Sequence, residues 1–350
     1  MRILKYLLFL FLIIVIGFSI YIAIQPDNYK ITREYTITAP KSVIYKYINN
    51  FKEWPKWSPW NEKKANTTIS FGDSSSGNNA SYSWNGKTTG QGTIKTIFSS
   101  QDSISQAVNF ISPYESDAHN YWTLKSTTGK KNNVLVTWGI EGTLSFTEKA
   151  LIFLQGGMES VVGLDFQQSL HRLDSLVQED MKAYSISLKG ETEYGGGYYL
   201  YQTTSTKQNE VDLATERMFP EILAFMEQHD IQKTGSAFTI FKEQDDTNST
   251  TIVSSSIPVK ERVITPAGST VLCGYLKPGT YYKTVLKGNH DNLKEAWSKT
   301  YDELKKNEIE IDPYRDAFET YVKTSEDYEN PADLITEIYI PTLLNTDSSE

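Results

Sequence analysis

Two glutamates near the C-terminus, Glu319 in AFETY and Glu337 in TEIY, sit in surroundings that suit ligand chemistry. Strand alternation puts Glu319 on one face with Ala317 and Tyr321, and Glu337 with Ile335 and Tyr339. A carboxylate beside phenols suits a cationic or hydrogen-bonding ligand, through charge pairing and attraction to the ring faces. The chain repeats itself around these acids. AFTIF at 237–241 matches AFETY at 317–321, SIPV at 256–259 matches YIPT at 339–342, and Asp230-Ile231 matches Glu308-Ile309. Superposing the copies sets Thr239 against Glu319 and Ser254 against Glu337, so both acids occur in the second copy alone. If they served only to keep edge strands soluble, acids or lysines would be expected in the first copy too. Tyr275, Tyr281, Tyr282 and Trp297 are further candidates for lining a groove between the copies.

Other chemistry is poorly provided for. The histidines His119, His171, His229 and His290 are scattered, and none forms an HExxH pair. Cys273 is the single cysteine, which excludes an internal disulfide and any CxxC site, so no metal or cofactor is expected. Gly195-Gly196-Gly197 lacks GxGxxG spacing and precedes the strand-like YYLYQTT, so it marks a strand entry or a bulge. Lysines and arginines number 34 against 43 acids, a net charge of −9. Without a basic stripe, nucleic acid is not an expected partner. Glu141 and Glu148 read as solvated strand residues, His171 as a surface residue, and no nucleophile–base pair is evident.

The elements that must position the acids are two copies of strand–helix–strand–strand. The first copy reads as a strand at 198–204, a helix ending near His229 whose start Pro220 interrupts, and strands at 237–242 and 250–259. The second reads as a strand at 270–273 continuing at 280–286, a helix at 289–306, and strands at 317–323 and 334–342. One sheet around a pseudo-two-fold axis, with a groove between the copies, is expected. With AFETYV followed by PADLITEIYIPT, the region from about 190 to 342 resembles the GyrI-like, or AraC-type effector-binding, domain of multidrug-sensing regulators. That resemblance implies a small-molecule groove at the pseudo-two-fold axis, with acids from the late strands. Glu319 stands first at that motif position and Glu337 second. Some relatives hydrolyse reactive electrophiles, so the resemblance also admits a hydrolase with Glu319 as general base.

The preceding half reads differently. Tyr29–Ala39 alternates as a strand, and Pro40 opens a helix carrying Val43, Ile44, Tyr47, Ile48 and Phe51. WPKWSPW follows, and its prolines are expected to hold Trp54, Trp57 and Trp60 out of regular helix, as a core plug or as a lid over a cavity. Strand-like runs come next at 80–85, 90–98, 103–111, 118–125 and 134–146. A long helix closes the unit, with Met158, Val162, Phe166, Leu170, Leu173 and Val177 on one face. A sheet wrapped on such a helix leaves room for an apolar ligand. ITAPKSVIYKYINNFKEWPKWSPW, GNNASYSWNGKTTGQGTIK and LVTWGIEGTLSF resemble the SRPBCC superfamily, which includes START-like and polyketide-cyclase-like domains. The resemblance implies a helix-grip fold that binds hydrophobic molecules.

Ahead of both lies Tyr6–Ile24, YLLFLFLIIVIGFSIYIAI, uncharged and at about 1.5 Å per residue long enough for a bilayer core. Arg2 and Lys5 precede it and Asp27 follows, so the N-terminus is expected in the cytoplasm and the rest outside a plasma (inner) membrane. A cleavable signal peptide is the rival reading, but the run is long for one and no A-x-A cleavage pattern follows it, so an uncleaved anchor is expected. The reading is an α+β chain with a single-pass anchor at 1–28, a helix-grip domain at 29–184, a duplicated β-α-β-β domain at 185–342 and a disordered tail at 343–350. The expected function is membrane-anchored binding of hydrophobic or cationic small molecules. Hydrolysis through Glu319 and an envelope protein-interaction module are the alternatives.

Overall fold

The computed structural model describes residues 2–58, 67–87, 89–112, 115–127, 132–245 and 247–343. Trp60 and nearly all of the expected tail lie outside them. The fold is mixed α+β with two antiparallel sheets, in two compact units, Met1–Asp180 and Met181–Glu350.

The first unit opens with α1 (Arg2–Ala23), a helix apolar and long enough to cross a membrane. Next come β1 (Asn28–Thr38), α2 (Lys41–Asn49) and α3 (Trp54–Trp57). The strands β2 (Thr67–Phe71), β3 (Ser81–Gly86), β4 (Gly90–Ser99), β5 (Ser103–Ser112), β6 (Ser116–Ser126) and β7 (Asn133–Thr143) form a meander, and β1 pairs with β7 to close the order β1-β7-β6-β5-β4-β3-β2. α4 (Phe146–Leu154), a π-helical turn (Glu159–Gly163) and α5 (Leu164–Lys182) complete the unit. Strand alternation turns Ala118, Asn120, Trp122 and Leu124 of β6 inward, along with Val134, Val136, Trp138 and Ile140 of β7. Phe166 of α5 stacks on Trp138 at 3.7 Å, and Leu170, Leu173 and Val177 extend that contact along one helix face.

Three expectations fail here for identifiable reasons. Trp54–Trp57 is helical despite Pro55, because a first-turn proline costs no hydrogen bond. Its indoles are core rather than lid. Trp54 and Trp57 are fully buried against Trp122 and Trp138, and they donate to the carbonyls of Ile48 and Tyr47. The last strand stops at Thr143, because Ser145 and Glu148 form a capping box that starts α4. Glu148 is therefore buried at a helix start and not solvated on a strand.

The second unit contains β8 (Ser185–Tyr194), β9 (Gly197–Lys207), α6 (Val211–Gln228), β10 (Phe238–Asp245), β11 (Thr250–Val259), β12 (Leu272–Leu276), β13 (Gly279–Lys287), α7 (Leu293–Lys306), β14 (Ala317–Lys323) and β15 (Ile335–Pro341). Sheet order is β12-β9-β11-β10-β14-β15-β13-β8. KGETEY, just ahead of the three glycines, belongs to edge strand β8. The continuous strand expected across 270–286 is instead two strands, because Pro278-Gly279 breaks it. β12 pairs with β9 and β13 with β15, near opposite edges of the sheet. α6 begins at Val211, before Pro220, and runs through it. The center of the sheet is the β10–β14 pair, in which Thr239 stands directly opposite Glu319.

Candidate functional site

Glu319 lies midway along β14, where alternation sends Phe318 to one face of the sheet and Glu319 to the other. Phe318 joins an aromatic cluster with Tyr281, Tyr339 and Phe238. Across β14–β15, Glu319 is level with Ile338, which packs beneath α7. Glu319 is thus on the helix-bearing face, only 4% exposed.

A buried carboxylate requires donors, and two aromatic side chains supply them. Trp297 of α7 donates its indole N–H to Glu319 Oε1. The Tyr321 hydroxyl lies 3.3 Å from Oε2 and 2.9 Å from Thr239 Oγ1. Burial raises the Glu319 pKa to about 7, against the opposing effect of these two donors. Burial first and the nearby carboxylate second push the Tyr321 phenol far upward, so it remains a neutral donor.

The rings around the carboxylate are crossed in pairs. Phe219 of α6 packs edge-on against Tyr321 at 5.9 Å, and Phe241 of β10 packs edge-on against Trp297 at 5.3 Å. Phe219 stands eleven residues before Asp230, and Trp297 eleven before Glu308. Phe241 and Tyr321 both close the AFTIF and AFETY motifs. Each copy's helix aromatic therefore meets the other copy's strand aromatic. The same count pairs Asp212 with His290, each eighteen residues before its helix exit. His290 lies against Tyr321 at 5.5 Å, and its Nε2 is buried without a hydrogen-bond partner. Burial lowers the His290 pKa, opposed by Asp212 and Asp291, which favors the neutral ring. Four equivalent positions thus carry different chemistry in the two copies: Thr239 and Glu319, Phe219 and Trp297, Phe241 and Tyr321, Asp212 and His290.

The other expected ligand residues separate from this cluster. Glu337 is level with Thr320 and lies on the opposite face from Glu319. Its charge is already matched: Lys283 Nζ sits 2.9 Å from Oε1, and the Tyr339 hydroxyl donates to Oε2 at 2.6 Å. Tyr339 and Tyr281 belong to the aromatic cluster on that face. Tyr282 is buried beneath α7, and Tyr275 is half-exposed on edge strand β12 beside Tyr198. Trp297 and Tyr321 alone join Glu319. Sequence reasoning missed Phe219, Phe241 and Asp212 and passed over His290, although applying the repeat residue by residue would have reached all four.

The first unit holds a separate cavity of about 590 Å³, lined largely by apolar side chains that include Tyr82, Trp84, Ile94, Val108, Phe110 and Phe166. That volume falls in the range of small-molecule pockets. One wall is polar: Asn120 lines the cavity, accepts from Trp138 Nε1 at 2.7 Å and donates to Gln106 at 2.6 Å. Among the described residues, no three histidine, cysteine or acidic side chains form a metal-binding group.

Two helices over a sheet thus hold the Glu319 carboxylate among the rings of Phe219, Phe241, Trp297 and Tyr321. Residues 197–343 match the family model described as the GyrI-like small molecule binding domain. No curated protein matches the chain. Among solved structures, the chain is similar to the EcmrR C-terminal domain, at 14% identity over 46% of this chain and 98% of that one, with a TM-score of 0.38. It is similar to protein CV1439 from Chromobacterium violaceum, at 13% identity over 44% and 99%, with a TM-score of 0.31. It is also similar to Ara h 8.0201, at 10% identity over 43% and 99%, with a TM-score of 0.31.

Proposed function

We propose that the second unit binds an aromatic or lipophilic cation between α6 and α7, with Glu319 as the counter-ion and Phe219, Phe241, Trp297 and Tyr321 as its walls. The observation that carries this reading is a buried carboxylate ringed by crossed aromatic pairs. A cation placed there replaces the neutral donors Trp297 and Tyr321 with a full charge, in a setting where charge pairing is strong. The domain boundaries that accompany the reading are 29–184 and 185–342, with the second arranged about a pseudo-two-fold axis through the Thr239–Glu319 pair. The palindromic strand order supports that axis.

The first unit, in this reading, is an SRPBCC-like helix-grip domain whose cavity takes an apolar molecule. α1 anchors the chain in the plasma membrane with its N-terminus in the cytoplasm, which the flanking Arg2 and Lys5 support. The whole is a membrane-anchored receptor for small molecules. Titrating the full chain with tetraphenylphosphonium, by calorimetry at pH 8, tests the counter-ion role. Wild type should bind, and Glu319→Gln should lose roughly tenfold or more in affinity, at least the ~1.4 kcal/mol that such a factor represents. Equal affinity in the two proteins overturns the assignment.

A second reading, hydrolysis of electrophilic small molecules, draws on the same carboxylate. A pKa of about 7 suits a general base at neutral pH. Its test is turnover of an activated ester or epoxide by wild type against Glu319→Gln. Equal and negligible rates remove it.

A further inference from the structure

α4 carries apolar side chains on two sides. Toward the interior, Leu151 and Ile152 line the 590 Å³ cavity of the first unit. Outward, Phe146, Phe153 and Leu154 are 49%, 46% and 72% exposed. The helix has only two charged residues, Glu148 and Lys149, and both are buried. A short helix apolar on opposite faces is unsuited to water on its outer side.

The position of α4 indicates what covers that side. Phe153 packs against Phe18 and Tyr21 of α1, with ring centroids 5.8 and 5.4 Å apart. Lys149 ties α4 to the end of α1, donating to the Gln25 carbonyl at 3.0 Å and to Asp27 at 2.7 Å. Phe18 lies six residues inside the apolar run that ends at Ile24, roughly 9 Å along the helix. If α1 spans a bilayer, Phe153 therefore sits below the outer surface, within the ~5–10 Å at which interfacial helices bury their apolar face. Gly156 and Gly157, both at positive φ, separate α4 from the helical run that packs on the sheet.

We propose that α4 is the membrane-facing gate of the first-unit cavity, and that the cavity takes an acyl-chain lipid directly from the bilayer that holds α1. The proposal rests on the reading of α1 as a membrane anchor. The acyl chain leaves the bilayer beside Phe153 and Leu154, passes α4 and reaches the wall formed by Leu151 and Ile152 without crossing water. The headgroup stays at the bilayer surface. Trp54 and Trp84 also line the cavity, and neither α1 nor α4 contains tryptophan.

The test uses the full chain reconstituted in phosphatidylcholine vesicles, with part of the lipid brominated on its acyl chains. Wild type should show tryptophan quenching by brominated lipid. Leu154→Glu, which charges the outward face at an exposed position, should lose it. Val108→Phe, which fills the cavity from a buried position, should lose it as well, with far-ultraviolet circular dichroism confirming that each variant is folded. Quenching retained in either folded variant overturns the gate and cavity. Wild type that resists alkaline carbonate extraction yet shows no quenching overturns the lipid inference and leaves the anchor standing. Wild type stripped from vesicles by carbonate overturns the anchor, and this proposal with it.

Discussion

Glu319 is held in a state that water would not favor. Its pKa is raised to about 7 from an ordinary 4.5, with burial the largest cause. Between those values the folded chain keeps a proton that the unfolded chain has lost, so stability falls as pH rises. The contribution is intact below about pH 4.5 and is lost as pH climbs through 7, an effect on the order of 3 kcal/mol. Glu319→Gln stays neutral throughout. In urea unfolding it should match wild type near pH 4 and exceed it at pH 8, and equal midpoints at both would mean that the carboxylate is not buried as described. Ligand binding has the opposite sense: affinity for a lipophilic cation should rise with pH to about 7 and then level off, because only the ionized acid pairs with the cation. Cation titrations across that range check the slope. Glu319 was legible in the sequence because the repeat exposed an acid with no mate. Glu337 met the same criterion yet faces the other way, paired with Lys283. Alternation shows which residues of one strand share a face, but not how two strands are registered, and a shift of one residue reverses the face.

At the scale of elements, the sequence was legible where periodicity was long and unbroken, as in α5, α7, β11 and β14. It misled where two signals overlapped. LVTWGIEGTLSF reads as one strand because apolar residues continue into Leu144 and Phe146, yet S-F-T-E, which overlaps its end, is a helix start. β8 was hidden because KGETEY is polar, as edge strands often are. The split of β12 from β13 depends on pairing between distant segments, which no local pattern encodes. Ser145→Ala should cost about 1 kcal/mol by removing the cap of α4 and leaving the Glu148 amide without its partner. Chemical unfolding of the full chain measures that cost. Gly196 offers a sharper case. Its φ is +64°, and an added Cβ would lie 2.2 Å from the Leu276 carbonyl oxygen. Left-handed strain alone costs ~1–2 kcal/mol, so Gly196→Ala should destabilize the second unit by more than that, with the loss read from the Trp297 fluorescence transition.

Across the whole molecule, tryptophan is unevenly shared: six of the seven precede residue 139, and Trp297 stands alone in the second unit. That distribution separates the two proposed binding events in a single sample. A lipophilic cation seated on Glu319 displaces the donor N–H of Trp297, so its fluorescence change should vanish in Trp297→Phe and persist when Trp84 is replaced by Phe. An acyl lipid in the first-unit cavity should give a change that persists in Trp297→Phe and is reduced in Trp84→Phe, with Trp54 reporting the remainder. Stability provides a second readout, since a ligand at 1000 times its dissociation constant adds about 4 kcal/mol to the state that binds it. Each ligand should therefore delay unfolding of its own unit and leave the other's transition in place, as followed by Trp297 on one side and by the remaining indoles on the other. If both ligands shift both transitions equally, the chain is one cooperative receptor, and the assignment of separate sites to the two units is wrong.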